Sequence, residues 1–282
     1  MKIENFVFNP YEPQPAKITF ISRQTDNIKL FRFEFTQKVP GWKFSFKPGQ
    51  FVELSIPGFG EAPFAPCGDS QKNYLELCVR KAGKLTEKLH RLTVGDQVGI
   101  RGPYGNGVWP IAKYDFKTQK NLLLVVGGLG FVPLRSLLIN KNNLLGKETK
   151  VQIFYGARAP NEMLFRHEYS QWEKQKIQLA LTVDKECVGW KGVVGLVTAL
   201  FDKHEIIQNS VAFICGPPIM YRPILDRLKK LGFSDDDIYL SLERRMHCGF
   251  GVCQHCAVGS YYTCQDGPIF SWAQLKNISD AI

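Results

Sequence analysis

The sequence has no long apolar run. Its longest strongly apolar stretch, residues 122–126, is far too short to cross a bilayer, which takes about 20 residues as a helix. The first ten residues contain Glu4 and Asn5 and no apolar core of roughly 7–15 residues, so no secretory leader is expected. No run of five Lys or Arg occurs, although the formal net charge is +10. A nucleic-acid or anionic-membrane role is therefore not expected. The scattered basic excess reads as a solvated surface, or as steering toward an acidic protein or a dinucleotide's phosphates. Internal repeats and low-complexity segments are missing too. Without an export signal, the eight cysteines are not expected to form a disulfide framework, and the expected location is cytoplasmic.

What is present divides into two patterns. The 282 residues suggest about two domains. Up to residue 115 or so the chain reads as β. Ile28, Leu30, Phe31, Phe33 and Phe35 largely alternate with polar residues, as do Leu75, Leu77 and Val79. Turn signals at Lys47-Pro48-Gly49, Pro57-Gly58, Val94-Gly95-Asp96 and Gly102-Pro103-Tyr104-Gly105 separate these runs, which points to a small barrel or sandwich. After residue 120 the pattern changes. The apolar run 122–126 suits a strand covered on both faces, and a glycine turn and a helix from about Pro133 follow. Further strands are expected at 151–155, 177–183, 211–215 and 238–242, with Ile224, Leu225, Leu228 and Leu231 at helical spacing between the last two. Alternating strands and helices imply a doubly wound parallel sheet, joined to the first domain near residues 115–120.

Four of the eight cysteines crowd together as Cys248-x4-Cys253-x2-Cys256-x7-Cys264. Thiolates suit iron and zinc alike. Zinc modules usually present two separated Cys-x-x-Cys pairs, whereas the x4, x2 opening is that of plant-type [2Fe–2S] ferredoxins. The iron–sulfur reading is preferred and zinc is the alternative. Gly249, Gly251 and Gly259 would let the backbone wrap closely enough for amide N–H groups to face cluster sulfurs. His255 reads as a neighbour of the site, or else as an extra ligand. Cys67, Cys78, Cys187 and Cys215 are dispersed, as small buried hydrophobes are.

Val125-Val126-Gly127-Gly128-Leu129-Gly130-Phe131-Val132-Pro133 joins a buried strand to a helix. Glycines let a diphosphate approach the backbone, a helix N-terminus favours its charge, and Pro133 is tolerated in a first turn. Strand-to-helix turns also use glycine for geometry alone. Cys215-Gly216-Pro217-Pro218-Ile219-Met220 follows another apolar strand, at the same edge of the expected sheet, where open α/β sheets bind ligands. Arg80-Lys81-Ala82-Gly83-Lys84-Leu85-Thr86 offers a second diphosphate set, or simply a charged strand end running into a turn.

Together these motifs resemble the ferredoxin–NADP reductase superfamily. The cysteine loop narrows the resemblance to the branch with nickel–iron hydrogenase (sulfhydrogenase) gamma subunits, the B component of anaerobic sulfite reductase and the electron-transfer subunit of dihydroorotate dehydrogenase. Asn9-Pro10-Tyr11, Gly60-Glu61-Ala62-Pro63, Gly102-Pro103-Tyr104-Gly105-Asn106-Gly107, Tyr155-Gly156-Ala157-Arg158 and Glu243-Arg244-Arg245-Met246 look most like the hydrogenase and sulfite reductase members.

The resemblance implies a β-barrel flavin domain (1–116), an α/β doubly wound parallel-sheet nucleotide domain (117–240) and a small C-terminal iron–sulfur segment (241–282). It implies FAD contacts from Pro63, Phe64, Ala65, Val79, Arg80, Gly83, Leu85 and Thr86. NAD(P)H contacts would come from Gly127, Gly128, Gly130, Pro133, Gly216, Pro217 and Met220, with Arg158 on the adenosine side. Cys215 would stand beside the reacting nicotinamide, and Cys248, Cys253, Cys256 and Cys264 would hold a [2Fe–2S] cluster. The implied function is electron transfer between NAD(P)H and the catalytic subunit of a hydrogenase or sulfite reductase, with dihydroorotate dehydrogenase as the alternative. A zinc-stabilised binding module or a redox sensor without turnover are readings of another class. Two departures stand out. Ala62-Pro63-Phe64-Ala65 replaces the usual Arg-x-Tyr/Phe-Ser/Thr at the flavin, so the arginine and the hydroxyl are both missing. Val252 and Gln254 stand between the cluster cysteines where relatives often place Lys and Gly.

Overall fold

The computed structural model describes residues 9–36, 44–116 and 120–282. The first part of the chain forms strands β1 (Gln14–Arg23), β2 (Ile28–Phe35), β3 (Phe51–Ile56), β4 (Gly60–Phe64), β5 (Leu75–Arg80) and β6 (Gln97–Tyr104), with helix α1 (Lys84–Arg91) between the last two. They pair antiparallel in the order β4-β3-β6-β1-β2-β5. The alternation of β2 buries Phe31 and Phe33 with Leu54, Leu75 and Ile100. The expected barrel is a six-stranded sheet in which, among the described residues, no ladder joins the edge strands β4 and β5. Just beyond β4 an isolated antiparallel bridge pairs Pro66 with Leu77 of β5, and Pro63 within β4 has no N–H to extend it into a ladder.

The second part supplies β7 (Asn121–Gly127), α2 (Phe131–Ile139), α3 (Lys141–Leu144), β8 (Val151–Ala157), α4 (Tyr169–Lys174), β9 (Gln178–Val183) and β10 (Val193–Val194). It continues with β11 (Ser210–Cys215), α5 (Tyr221–Lys230) and β12 (Ile238–Ser241). The last segment adds β13 (Ala257–Val258), β14 (Tyr261–Tyr262), β15 (Ile269–Ser271) and α6 (Trp272–Leu275). Seven strands align as β10-β9-β8-β7-β11-β12-β15, parallel except for the β12–β15 pair. β8 and β11 are buried at every position, as a sheet covered on both faces requires. The doubly wound expectation is met. The chain passes between the two sheets through 115–120, of which 117–119 lie outside the described residues.

One core spans the two sheets. Ile28, Leu30, Cys67, Cys78 and Trp109 from the first part pack in the same cluster as Leu122, Phe131, Val211 and Phe213 from the second. Trp109 stacks on Phe213 with ring centroids 4.6 Å apart. A polar latch lies beside this core. Arg135 is the one charged residue in the apolar helix α2, and its Nη1 donates to the carbonyl of Cys67 (2.9 Å) and to Glu76 Oε2 (2.8 Å). Its Nη2 and Nε reach Glu168 Oε1 at 2.6 and 2.9 Å. Among the described residues no helix is long and apolar enough to cross a membrane.

Candidate active site and cysteine loop

β7 lies between β8 and β11, so the sheet's strand order reverses there. Val126 is level with Cys215 in the β7–β11 register. The two glycine turns therefore leave the sheet side by side, at the crevice where open α/β sheets take ligands. Their approach is very close. A Cβ on Gly130 would stand 2.0 Å from the carbonyl oxygen of Cys215, and one on Gly216 would stand 3.0 Å from the Gly127 nitrogen. A Cβ on Gly127 would meet Met220 Sδ at 2.6 Å and Pro217 Cδ at 3.0 Å. Gly127, Gly130 and Gly216 are thus needed to seat one turn on the other. Gly128 differs: it has a φ of +53° and open space where a Cβ would go, so its surface is free for a ligand. Pro133 stands in the first turn of α2, as expected.

Cys215 ends β11 and is 5% exposed. Burial pushes its thiol up to about 12, a hydrogen bond with Ser241 opposing. It is a neutral thiol near pH 7, unable to act as a thiolate nucleophile. Arg158 stands just beyond β8, exposed, with Nε donating to Glu162 Oε2 at 2.8 Å.

The segment expected at the flavin is β4 and the residue after it. Pro63 and Phe64 pair with Glu53 and Val52 of β3, and all of Pro63, Phe64 and Ala65 are half-buried. Val79 and Leu85 put their side chains into the core of the first sheet. Arg80 is exposed at the end of β5, and a Cβ on Gly83 would meet nothing within 4 Å. The hydroxyl of Thr86 is already committed. It accepts from the Ala82 and Gly83 N–H groups (2.8 and 3.0 Å) and donates to the Gly83 carbonyl at 3.0 Å, capping α1. The surface left open at this strand end is that of Arg80, Lys81 and Gly83.

The cysteine loop packs on the first sheet. Cys256 and Cys264 are buried with Phe51 and Tyr104. Gly249, Gly251 and Gly259 take φ values of +87°, +88° and +56°, where a side chain would be strained. The wrapped backbone aims N–H groups at sulfur, as the glycines suggested. Gly251 N donates to Cys264 Sγ at 3.0 Å, Val252 N and Cys253 N to Cys248 Sγ at 3.3 and 3.4 Å, and Cys264 N to Cys256 Sγ at 3.4 Å. Burial raises the Cys248 thiol, but the N–H groups of Cys253, Phe250 and Val252 outweigh it and leave it below the ordinary thiol range. Main-chain N–H groups, that of His255 foremost, hold Cys253 down to about 7. Cys264 goes the other way, its thiol pushed up by burial and by the Cys256 thiol beside it. The two lowered thiols and the N–H groups aimed at sulfur fit a cluster. His255 is exposed, its ring 4.4 Å from that of His247, with Nδ1 3.2 Å from the Cys253 carbonyl oxygen. Among the described residues no three His, Cys, Asp or Glu side chains gather as ligands of a single ion.

Two polar residues here were missed in the sequence. Arg101 and Glu53 face each other across β6 and β3, and Arg101 forms a salt bridge with Glu61 of β4. Glu53 is 1% exposed and its Oε1 has no hydrogen-bond partner. Burial lifts its carboxyl to about 8, Arg101 opposing and Glu61 and Cys248 reinforcing, so it carries a proton at neutral pH. The signal was available: Glu53 and Arg101 are ionisable residues at buried positions of largely apolar strands.

Comparison with known proteins accords with this geometry. Residues 15–109 match an oxidoreductase FAD-binding domain, 124–225 an oxidoreductase NAD-binding domain, and 243–276 the iron–sulfur cluster binding domain of dihydroorotate dehydrogenase B. The sulfhydrogenase 2 gamma subunit of Pyrococcus furiosus is 40% identical, over 94% of this chain and 96% of the relative. A probable dihydroorotate dehydrogenase B electron transfer subunit of Pyrococcus abyssi is 35% identical, over 89% of this chain and 86% of the relative. The fold also matches that of an NADH-dependent reduced ferredoxin–NADP oxidoreductase, with a TM-score of 0.73 at 23% identity over 93% of this chain and 91% of the other. The chain belongs to the oxidoreductase family that joins FAD-binding, NAD-binding and dihydroorotate-dehydrogenase-B-type iron–sulfur domains in one polypeptide, and that contains the sulfhydrogenase gamma subunits.

Proposed function

We propose that this chain is a cytoplasmic electron-transfer subunit, carrying FAD and a [2Fe–2S] cluster, that connects NAD(P)H to the catalytic subunit of a nickel–iron hydrogenase or an anaerobic sulfite reductase. The observation that carries it is the seat of the cysteine loop, packed through Cys256 and Cys264 on Phe51 and Tyr104 of the sheet that bears the flavin segment. The three parts divide at 1–116, 117–240 and 241–282, the last lending β15 to the nucleotide sheet. When bound, the nicotinamide supplies a two-electron donor, the flavin a two-to-one converter and the cluster a one-electron carrier.

The protein supplies placement. Gly128 and the N-terminus of α2 receive the dinucleotide's diphosphate, with Gly127 and Gly130 giving the turn its shape and Pro133 starting the helix. Gly216, Pro217 and Met220 border the nicotinamide beside Cys215, whose neutral thiol offers packing without charge. Arg158 meets the adenosine side once its side chain leaves Glu162. Arg80 and Gly83 face the FAD diphosphate, Thr86 and Leu85 fix the helix behind them, and Val79 fixes the strand. Pro63, Phe64 and Ala65 form an apolar support for the flavin ring. Cys248, Cys253, Cys256 and Cys264 ligate the cluster.

The hydrogenase reading stands ahead of dihydroorotate dehydrogenase because the sulfhydrogenase gamma subunits are more similar, at 40% and 36% identity against 35% and below. The zinc reading is disfavoured by the match of 243–276 to an iron–sulfur domain. The test is turnover with and without a partner. The chain alone should pass electrons from NAD(P)H to an artificial acceptor, while H2, sulfite and orotate stay inert. Rapid turnover of any of those three by the single chain contradicts the subunit reading.

A further inference from the structure

The first cysteine of the loop is held from behind by the flavin sheet. Arg101 of β6 is almost fully buried, with a side chain 4% exposed. Its Nη1 donates to the main-chain carbonyl of Cys248, and its Nη2 to that of His247 at 3.0 Å. The other edge of the guanidinium makes a two-pronged pair with Glu61, Nε to Oε1 at 2.8 Å and Nη2 to Oε2 at 2.6 Å. Nη1 also reaches the Tyr104 hydroxyl at 3.2 Å and the Pro10 carbonyl at 3.3 Å. Glu61 directly precedes the half-buried residues 62–65 assigned to the flavin. A single side chain therefore ties the flavin segment to the backbone of the first cluster ligand.

A neutral donor could dock a carbonyl. A guanidinium also brings a permanent charge into a site shielded from water, where charges act strongly. Burial works against that charge, but the hydrogen bonds with Glu61 and Tyr104 overcome it, so Arg101 stays cationic. The two charges of the pair are not equivalent. Arg101 touches the Cys248 carbonyl, whereas Glu61 touches the opposite edge of the guanidinium, so the nearer charge is positive. Reduction adds a negative charge to an iron–sulfur cluster, and a fixed cation close by favours the reduced form.

We propose that Arg101 is a positioning residue that docks the cysteine loop on the flavin sheet and raises the reduction potential of the cluster, with Glu61 acting in the opposite sense. The inference rests on the cluster reading above. Its test is the midpoint potential of the cluster in the full chain loaded anaerobically with iron and sulfide, followed by electron paramagnetic resonance during a dye-mediated titration. Arg101→Met should lower the potential, changing the reduced-to-oxidised ratio about tenfold, which is about 59 mV for one electron. Arg101→Lys keeps the charge and should lower it less, and Glu61→Gln should raise it. If Arg101→Met fails to hold a cluster, the order Arg101→Lys below unsubstituted below Glu61→Gln still decides. Potentials that do not move, or that move the same way in the Arg101 and Glu61 variants, overturn the role of Arg101 and leave a structural staple. An unsubstituted chain that takes up no iron and sulfide overturns the cluster reading itself.

Discussion

Gly130 packs directly on the carbonyl group of Cys215, with no room for a methyl group between the two turns: a Cβ would stand 2.0 Å from that oxygen. The nucleotide crevice is thus shaped by contact between two main chains. Neither backbone can yield as a flexible side chain could.

This separates two glycines that look alike in sequence. Gly130→Ala should destabilise the chain by about 1–3 kcal/mol or more, as overpacking does. Gly128→Asn places its side chain in open space with a left-handed φ that Asn tolerates. It should keep stability near that of the unsubstituted chain, yet weaken NAD(P)H binding about tenfold, or about 1.4 kcal/mol. Denaturant unfolding and fluorescence titration with NADPH and NADH distinguish the two effects. Unchanged binding by Gly128→Asn would remove the turn from the site.

Arg135 holds Glu76 and Glu168 from α2, and Glu76 also accepts from Arg32 at 2.9 Å. Arg135→Met leaves two buried carboxylates short of a partner. Breaking such a pair costs about 3–5 kcal/mol. Urea unfolding should show the lower midpoint, and Arg135→Lys should recover part of it. A midpoint equal to the unsubstituted chain would mean that the latch contributes nothing.

Glu53 gives stability a pH dependence of definite sign. Its ordinary value is 4.5 and its folded value about 8, so between them the folded chain binds a proton that the unfolded chain releases. Its contribution is full below about pH 4.5 and is lost as the pH rises through about 8. Glu53→Gln fixes the neutral form, so its thermal midpoint should fall less steeply than that of the unsubstituted chain across this window. Parallel profiles would show that the carboxyl is not held protonated.

Cys215 should resist alkylation. With the thiol at about 12, roughly one part in ten thousand is thiolate at pH 8, and the side chain is buried as well. Iodoacetamide followed by peptide mass spectrometry should leave Cys215 unmodified in the folded chain and modified after unfolding. Fast labelling of the folded chain would point to a reactive thiolate and a more direct chemical role.

The fold was legible where periodicity is strong. The alternation of residues 28–35 and the apolar runs at 122–126 and 211–215 sit inside β2, β7 and β11. The glycine-lined loop was legible too, since its spacing forces wrapping and the N–H groups do turn toward sulfur. The purposes of similar residues were not. Gly127 and Gly130 serve chain-to-chain contact while Gly128 faces open space, and Thr86 caps its own helix. Those distinctions depend on what packs opposite, which local sequence does not contain. Arg101 and Arg135 were missed because long-range partners justify each buried charge: Glu61, Cys248, Glu76 and Glu168 are 33 or more residues away from the arginines that bind them.

The most direct test of the account is one anaerobic experiment on the chain alone, loaded with FAD, iron and sulfide. NAD(P)H is added and the reduced cluster is quantified by electron paramagnetic resonance. The account predicts about two irons and two sulfides per chain, the content of a [2Fe–2S] centre, and a reduced-cluster signal that requires FAD. Stoichiometric zinc without labile sulfide, or a cluster signal that develops equally well in FAD-free protein, would contradict it.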